Sequence, residues 1–565
     1  RVEINGLAGQ GSDGATTLMR NGSWSTAGQL SIINTGIHNS INSQVILTSA
    51  DTLRRYSQYN ETSYAQFAMA DAARLGVPRP MLEVDAKTLK LAFTGGGGKD
   101  TFTFDGIGQF EAAKGGYGGT VGVINLGGAT LENRYTQIVD ANSPLEAFEG
   151  LTLTAQSLNN LNAKRILIGG LPQVEYGRNG NIVKFPYGVN TPGNSVFLRS
   201  GATLSAPEVM IVAGPGSIVI EQGASITTLG RGAAAYDARD GFVYEGVPSM
   251  LAVSNGLINV LPYVNRTGDP TGDIQIGVCP SGYCSGQTTI YSEGSIVAAS
   301  DKSLQLDDAV RYGTRHLTLA LSNINVGSTA GLADAAARKV LPAGLTLNQQ
   351  VLERLLRGDS STGAPALETL QLSAGQAFNF YGSTLLDTYD AQTGKSLLNN
   401  LVLSTPAIYG LGNAEDVATI HTANLIWQGA TGAPGAVITD GAGTGSGRLD
   451  INAERIEFGY GPFAQPSSNT VFDRLVLGFA NVNLNASDRI TANYKGSLSV
   501  YQRQGAYDPV TGFAYSGGNL NIVTPLMTGE GGSVNRMTAG GTIDISAGAG
   551  PRGTVKGFGG ELSFK

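Results

Sequence analysis

SVFLRSGATL (residues 195–204) and SIVIEQGASI (residues 217–226) repeat one another at an offset of 22 residues. Each segment has three consecutive apolar residues, a polar pair, Gly-Ala, one polar residue and one apolar residue. A period in the twenties belongs to repeat architectures, in which a single unit cannot bury its own apolar face and stacks on its neighbour. The repeat also returns one strand in the same sense. An antiparallel sandwich would instead present strands joined by tight hairpins. The reading that follows is an all-β chain wound as a parallel β-helix.

A second pattern extends this reading along the chain. LTLTA begins at Leu151, LQLSA at Leu370, LDINA at Leu449, VNLNA at Val482 and IDISA at Ile543. Alternation with period two places the apolar residues on one face of a strand. The alanine is expected to close the strand where the backbone turns inward. The last four instances are 79, 33 and 61 residues apart, so loops of different lengths interrupt the coils. Stacked at about 4.8 Å, such coils place identical side chains close together, which favours ladders of Asn and Thr and penalises like charges.

Composition agrees. Only 14% of the 565 residues are charged, against about 25% in ordinary proteins, and there are 80 glycines. With 41% hydrophobic residues in short runs, the chain has the means to build a core that a disordered chain lacks. The balance of 37 basic and 44 acidic residues offers no basic surface for nucleic acid. No apolar run approaches the roughly 20 residues of a transmembrane helix.

Two segments break the β pattern. Tyr64, Phe67, Ala68, Ala72 and Leu75 fall at helical spacing within 61–75, with Gly76 and Pro78 as stop signals. TLNQQVLERLLR predicts a second helix over 346–357, with Thr346 and Gln349 at capping-box spacing and Gly358 at its end. Both are expected to dock on the flank of the stack. YDAQTG from Tyr389 and YDPVTG from Tyr507 read as hairpin tips. The resulting layout is coils over 1–50, a helical insertion over 51–90, and β-helix with loop and hairpin insertions over 91–330. A second helical insertion over 331–366 and coils with hairpin protrusions over 367–565 complete it.

Cys279 and Cys284, the only cysteines, flank Pro, Gly and Ser in VCPSGYCSG and read as a local disulfide, which implies an oxidising compartment. No second Cys or His pair accompanies them, so zinc is not expected. The chain opens on Arg1 with no signal-like segment after it, and is expected to be processed or cut from something longer.

Candidate chemistry is sparse. His38, His316 and His421 lie far apart, outside any metal-binding spacing, and are read as structural or surface residues; no metal or cofactor is expected. No GxSxG seats a nucleophilic serine. Asp307 and Asp308 are adjacent carboxylates, but neighbouring strand residues point to opposite faces, so no catalytic residue is assigned. Gly95–Gly98 before Lys99 fails the phosphate-loop pattern, because the required first glycine falls at Phe93. Arg357-Gly358-Asp359 is an integrin-type string for which a helix-ending role is preferred. The sequons at Asn21, Asn60, Asn265 and Asn485 are expected by chance in so Asn- and Ser-rich a chain.

LNNLNAKRILIGG (158–170), LERLLRGDSSTGAPALETLQLSAGQAFNFYGS (352–383) and the composition of nearly the whole chain resemble the filamentous haemagglutinin family of two-partner-secretion exoproteins. The resemblance implies a right-handed parallel β-helix as shaft, an outer-membrane secretion transporter as partner, and a secreted, cell-surface adhesin acting in attachment or biofilm formation through glycans or host receptors. The family's NPNL and NPNG motifs are missing, so the transporter is expected to act through a domain outside this chain. Two other roles are open at this point: a polysaccharide-processing β-helix enzyme, and the delivery stalk of a contact-dependent toxin.

Overall fold

The computed structural model describes residues 1–5, 15–56, 62–94, 101–128, 130, 132–142, 148–177, 180–185, 195–261, 270–280, 282–459, 471–550 and 559–565. Strands dominate and helices are short. Two compact units emerge, Arg1–Ala70 and Asp71–Lys565.

The first unit departs from the expected coils. Its four strands pair antiparallel in the order Val2–Asn5, Ser43–Leu47, Trp24–Gly28 and Thr17–Leu18. The reversal has a local cause: Asn34 and Gly36 adopt positive φ, and Ser31 bridges back to His38, so the chain doubles on itself instead of travelling round a coil.

In the second unit the 22-residue offset becomes a strand register. Val196, Phe197 and Leu198 pair in parallel with Ile218, Val219 and Ile220, and Thr203–Ser205 pair likewise with Ser225–Thr227. These pairs belong to longer parallel series. One runs from Thr136–Val139 through Val196–Leu198, Ser217–Glu221 and Asp273–Val278 to Ser303–Leu306. Towards the C-terminus, Val417–Trp427, Gly447–Phe458, Phe479–Ala492, Asn519–Thr524 and Ile543–Ala547 pair successively, again in parallel. Alternate aliphatic residues of all these strands meet in one buried apolar cluster that includes Val121, Ile218, Leu372, Leu484 and Met537. Asparagines on the other face form the expected ladders: Asn483 donates to Asp450 at 2.7 Å and Asn521 to Asn483 at 2.8 Å.

At Ala374, Ala453 and Ala486 the alanine of the second pattern does not end the strand. Ala453 lies inside Gly447–Phe458, and the register with Phe479–Ala492 shifts directly after it. One unpaired residue bends a continuous strand, as a β-bulge does. The strand stops before Ala155, where Thr154 caps a short helix, Ala155–Asn160, and at Ala547, the last residue of Ile543–Ala547.

Another departure is Ser249–Ser254, which runs antiparallel to both Glu208–Ala213 and Ser295–Ser300. These strands are buried on both faces. Leu167, Met210, Val212, Met250 and Val297 form a second core, covered by a small sheet of Gln173–Glu175, Asn181–Lys184 and Phe242–Tyr244. Within it Arg165 and Glu208 form a fully buried ion pair, to which Tyr244 and Ser254 add hydroxyl contacts and Tyr236 its ring face at 4.3 Å. Burial penalises the Arg165 charge, and Glu208 beside it holds the guanidinium protonated all the same.

The first predicted helix spans Tyr64–Leu75, capped reciprocally by Ser63 and Gln66. Its buried stripe is Ala65, Ala68 and Ala72, while Tyr64 and Phe67 are exposed. The second begins later than expected, at Gln349, with Asn348 as N-cap. Thr346 is not the cap, because Leu345–Leu347 continues the β ladder beside Ile324–Val326. Nor does this helix lie on the flank: Leu352, Leu355 and Leu356 belong to the principal core, and the Tyr312 hydroxyl donates to the Leu355 carbonyl. A further helix, Thr329–Ala337, opens the helical insertion and packs on Tyr381 and Ala377. YDPVTG closes an antiparallel hairpin, Arg503–Asp508 with Gly512–Ser516, and YDAQTG a smaller one bridged between Tyr389 and Ser396.

Candidate functional site

Parallel pairing stacks one residue from each strand into a column. Asp387 is paired with His421, His421 with Asn452, Asn452 with Asn485, and Asn485 with Val523. Four of these five positions are polar, Asn452 and Asn485 lie in alanine-marked strands, and all five are partly exposed on the face turned away from the principal core. A groove of about 340 Å³ lies over this column, lined by Tyr389, His421, Asn452, Glu454, Asn485, Ser487 and Val523, with Gly548 and Ala549 at one end.

The hairpin that starts at Tyr389 supplies the groove's wall. Tyr389 stacks on His421 with ring centroids 4.4 Å apart and planes inclined by 15°. The Tyr389 hydroxyl donates to Glu454 at 3.3 Å. His421 Nδ1 lies 3.0 Å from Asp387 Oδ1. Burial, reinforced by Glu454, raises the Tyr389 phenol above its ordinary range, so it stays a neutral donor. Deeper in the groove, Asn485 Nδ2 donates to Asn452 Oδ1 at 2.8 Å. Among the described residues this leaves Nδ2 of Asn452 and Oδ1 of Asn485 without protein partners. The groove thus combines ring surface, amide donors and acceptors, and carboxylates. Among the described residues no Lys or Arg lines it, and the nearby Arg455 is held by Asp488 at 2.6 Å.

Of the residues singled out in the sequence, His421, Tyr389 and Asn485 line the groove and the others lie elsewhere or outside the described residues. Cys279 and Cys284 are joined as a disulfide. Asp359 accepts from Tyr291 at 2.6 Å and from the backbone and hydroxyl of Ser361, and its side chain is 12% exposed. Those hydrogen bonds hold its carboxyl down at about 2. Gly358 ends the helix at φ 52°, so Arg357-Gly358-Asp359 is used by the fold itself. Asp307 and Asp308 sit in a turn; Asp307 caps the amide of Ala309 and Asp308 pairs with Arg354, and neither enters the groove. His316 is largely buried, which lowers its pKa, and His38 contacts the Asn39 carbonyl. Of the three histidines only His421 reaches the groove. Trp427 is fully buried in the core and Trp24 half exposed. Gly95–Lys99, Asn60 and Asn265 lie outside the described residues.

The groove was not legible as a site. Its signal was present in the sequence: LDINA and VNLNA place Asn452 and Asn485 at equivalent positions, and the YDAQTG turn begins on the residue that walls them. Among the described residues no group of His, Cys, Asp and Glu is arranged to hold a metal ion. No helix among them is long and apolar enough to cross a membrane. No protein-family model, curated protein sequence or solved structure matches this chain.

Proposed function

We propose that the chain is part of a secreted bacterial surface exoprotein whose strands from Thr88 onward wind as a right-handed parallel β-helix, and that it acts as an adhesin. The observation that carries this reading is the long succession of in-register parallel strands around one aliphatic core, with uncharged amide ladders on the outer face. Parallel strands joined by crossovers take the right-handed sense almost without exception. A coil of this kind holds its surface columns in fixed geometry, which suits repeated contact with an extended partner. The disulfide fits an oxidising, extracellular setting. Export through an outer-membrane transporter follows from the family resemblance and is assigned to a domain outside this chain.

The reading favours binding over polysaccharide cleavage because the adjacent acids Asp307 and Asp308 are spent on a turn and on Arg354. The test is direct. Beads coated with the purified, folded chain should adhere to bacterial or epithelial cells above beads coated with albumin, and soluble chain should compete. Folded chain that neither adheres nor competes on any surface tried would remove the adhesive role.

A further inference from the structure

We propose that the groove between Tyr389 and Ala549 is a carbohydrate-binding site for a neutral oligosaccharide, laid along the column of stacked strands. This rests on the adhesive reading and names the ligand class.

Three features of the groove point to that class. The first is shape. The lining residues come from successive parallel strands, His421, Asn452, Asn485 and Val523 in register, so the groove extends along the stacking direction at about 4.8 Å per strand. A chain of pyranose rings is the linear ligand that such a track accommodates. The second is chemistry. A sugar ring has an apolar C–H face and a rim of hydroxyls. The stacked Tyr389 and His421 rings provide aromatic surface for the face. Nδ2 of Asn452, Oδ1 of Asn485, the Ser487 hydroxyl and the Glu454 carboxylate offer donors and acceptors for the rim. Protein amides and carboxylates suit hydroxyl recognition because each group accepts or donates in a fixed direction.

The third feature is charge, and it selects among glycans. Glu454 lines the groove and Asp387 pairs with His421 on the neighbouring strand, while among the described residues no Lys or Arg lines it. Arg455 and Arg489, the neighbouring cations, both contact Asp488 and neither lines the groove. Sulfated or uronate-rich chains would bring like charge to these carboxylates without compensation. A phosphate-bearing ligand is disfavoured on the same ground. Neutral and N-acetylated sugars meet no such penalty.

The experiment uses the full chain on a printed array of neutral, N-acetylated, sulfated and uronate oligosaccharides, followed by calorimetric titration of the best neutral hit. Binding to at least one neutral or N-acetylated oligosaccharide is expected. Affinity should fall about tenfold or more in Tyr389→Ala and in Asn485→Ala, the range typical of losing an aromatic or amide anchor. Tyr389→Phe, which keeps the ring and loses the hydroxyl bond to Glu454, should retain most of the binding. Far-ultraviolet circular dichroism and an intact Cys279–Cys284 disulfide establish that each variant is folded. Preference for the anionic glycans, no binding to any neutral one, or affinity unchanged in the folded Tyr389→Ala and Asn485→Ala variants overturns the proposal. The bead assay separates the two readings. Adhesion by an unaltered chain that binds no neutral glycan defeats the groove alone; glycan binding by a chain that adheres to no cell defeats the adhesive role alone.

Discussion

Single residues in this chain show how a sequence motif and its structural use diverge. Arg357-Gly358-Asp359 matches a cell-attachment string letter for letter, yet the fold claims two of the three residues: Gly358 supplies positive φ at the helix end, and Asp359 gathers three hydrogen bonds from Tyr291 and Ser361. These bonds have a consequence in acid. The Asp359 carboxyl is held at about 2 in the folded chain by Ser361, Tyr291 and the Ser361 amide. An unfolded aspartate titrates near 3.9. The group therefore contributes stability that is complete above about pH 4 and is lost as the pH falls towards 2. Asp359→Asn should lower the urea midpoint at neutral pH and leave a shallower loss of stability between pH 4 and pH 2. Denaturant titrations of both proteins across that window measure it; parallel pH profiles would show that Asp359 has no such role. Residues of this kind were half legible. The glycine stop could be read from Gly358 alone, whereas the partner of Asp359, Tyr291, is 68 residues away and only the stacked strands bring it near.

Elements were legible where their apolar pattern is local, and misread where tertiary contacts decide. The two halves of the 22-residue repeat pair as their alignment requires, and the YDPVTG turn closes a hairpin. Thr346 looked like a helix cap by spacing, but Leu345 and Leu347 gain more by extending a sheet beside Ile324 and Val326, which moves the cap to Asn348. The second core had its own signal. RILI, EVMIVA and SIVAAS are apolar without alternation, which marks strands buried on both faces. The reversal of Ser249–Ser254 had none, since a strand's direction is not written in its composition. Registers of parallel strands are testable by chemistry. Thr203 and Ser225 are paired neighbours on the exposed side of their strands. A double variant, Thr203→Cys with Ser225→Cys, should oxidise to a second disulfide, since paired strand neighbours lie within the Cα separation that disulfides span. Thr203→Cys with Thr227→Cys, two residues out of register, should cross-link far less. Mass spectrometry of the non-reduced peptides reads the result, and equal cross-linking of both pairs would contradict the register.

At the scale of the whole molecule, the proposed coil predicts how the second unit comes apart. Its apolar cluster is continuous from Val121 to Met537, yet the strands bond to those beside them in the stack, as Ser217–Glu221 does to Val196–Leu198 and Asp273–Val278. Stability in such an arrangement is a sum of local terms and nearest-neighbour terms, so damage stays near its source. A globular core of the same size would transmit it throughout. Ile218 and Leu484 are both fully buried, in strands far apart along the series. Placing a carboxylate at either position, as Ile218→Asp or Leu484→Asp, buries an unpaired polar group and costs several kcal/mol by the usual penalty. Ile218→Asp should lower hydrogen-exchange protection in Thr136–Val139, Val196–Leu198, Ser217–Glu221 and Asp273–Val278 while Gly447–Phe458 and Asn519–Thr524 keep theirs. Leu484→Asp should do the reverse. Peptide-resolved exchange by mass spectrometry decides between the alternatives: two separate footprints support a stack of locally stabilised coils, and a uniform loss along Asp71–Lys565 in either variant would mean one cooperative core and would remove the physical basis of the coil.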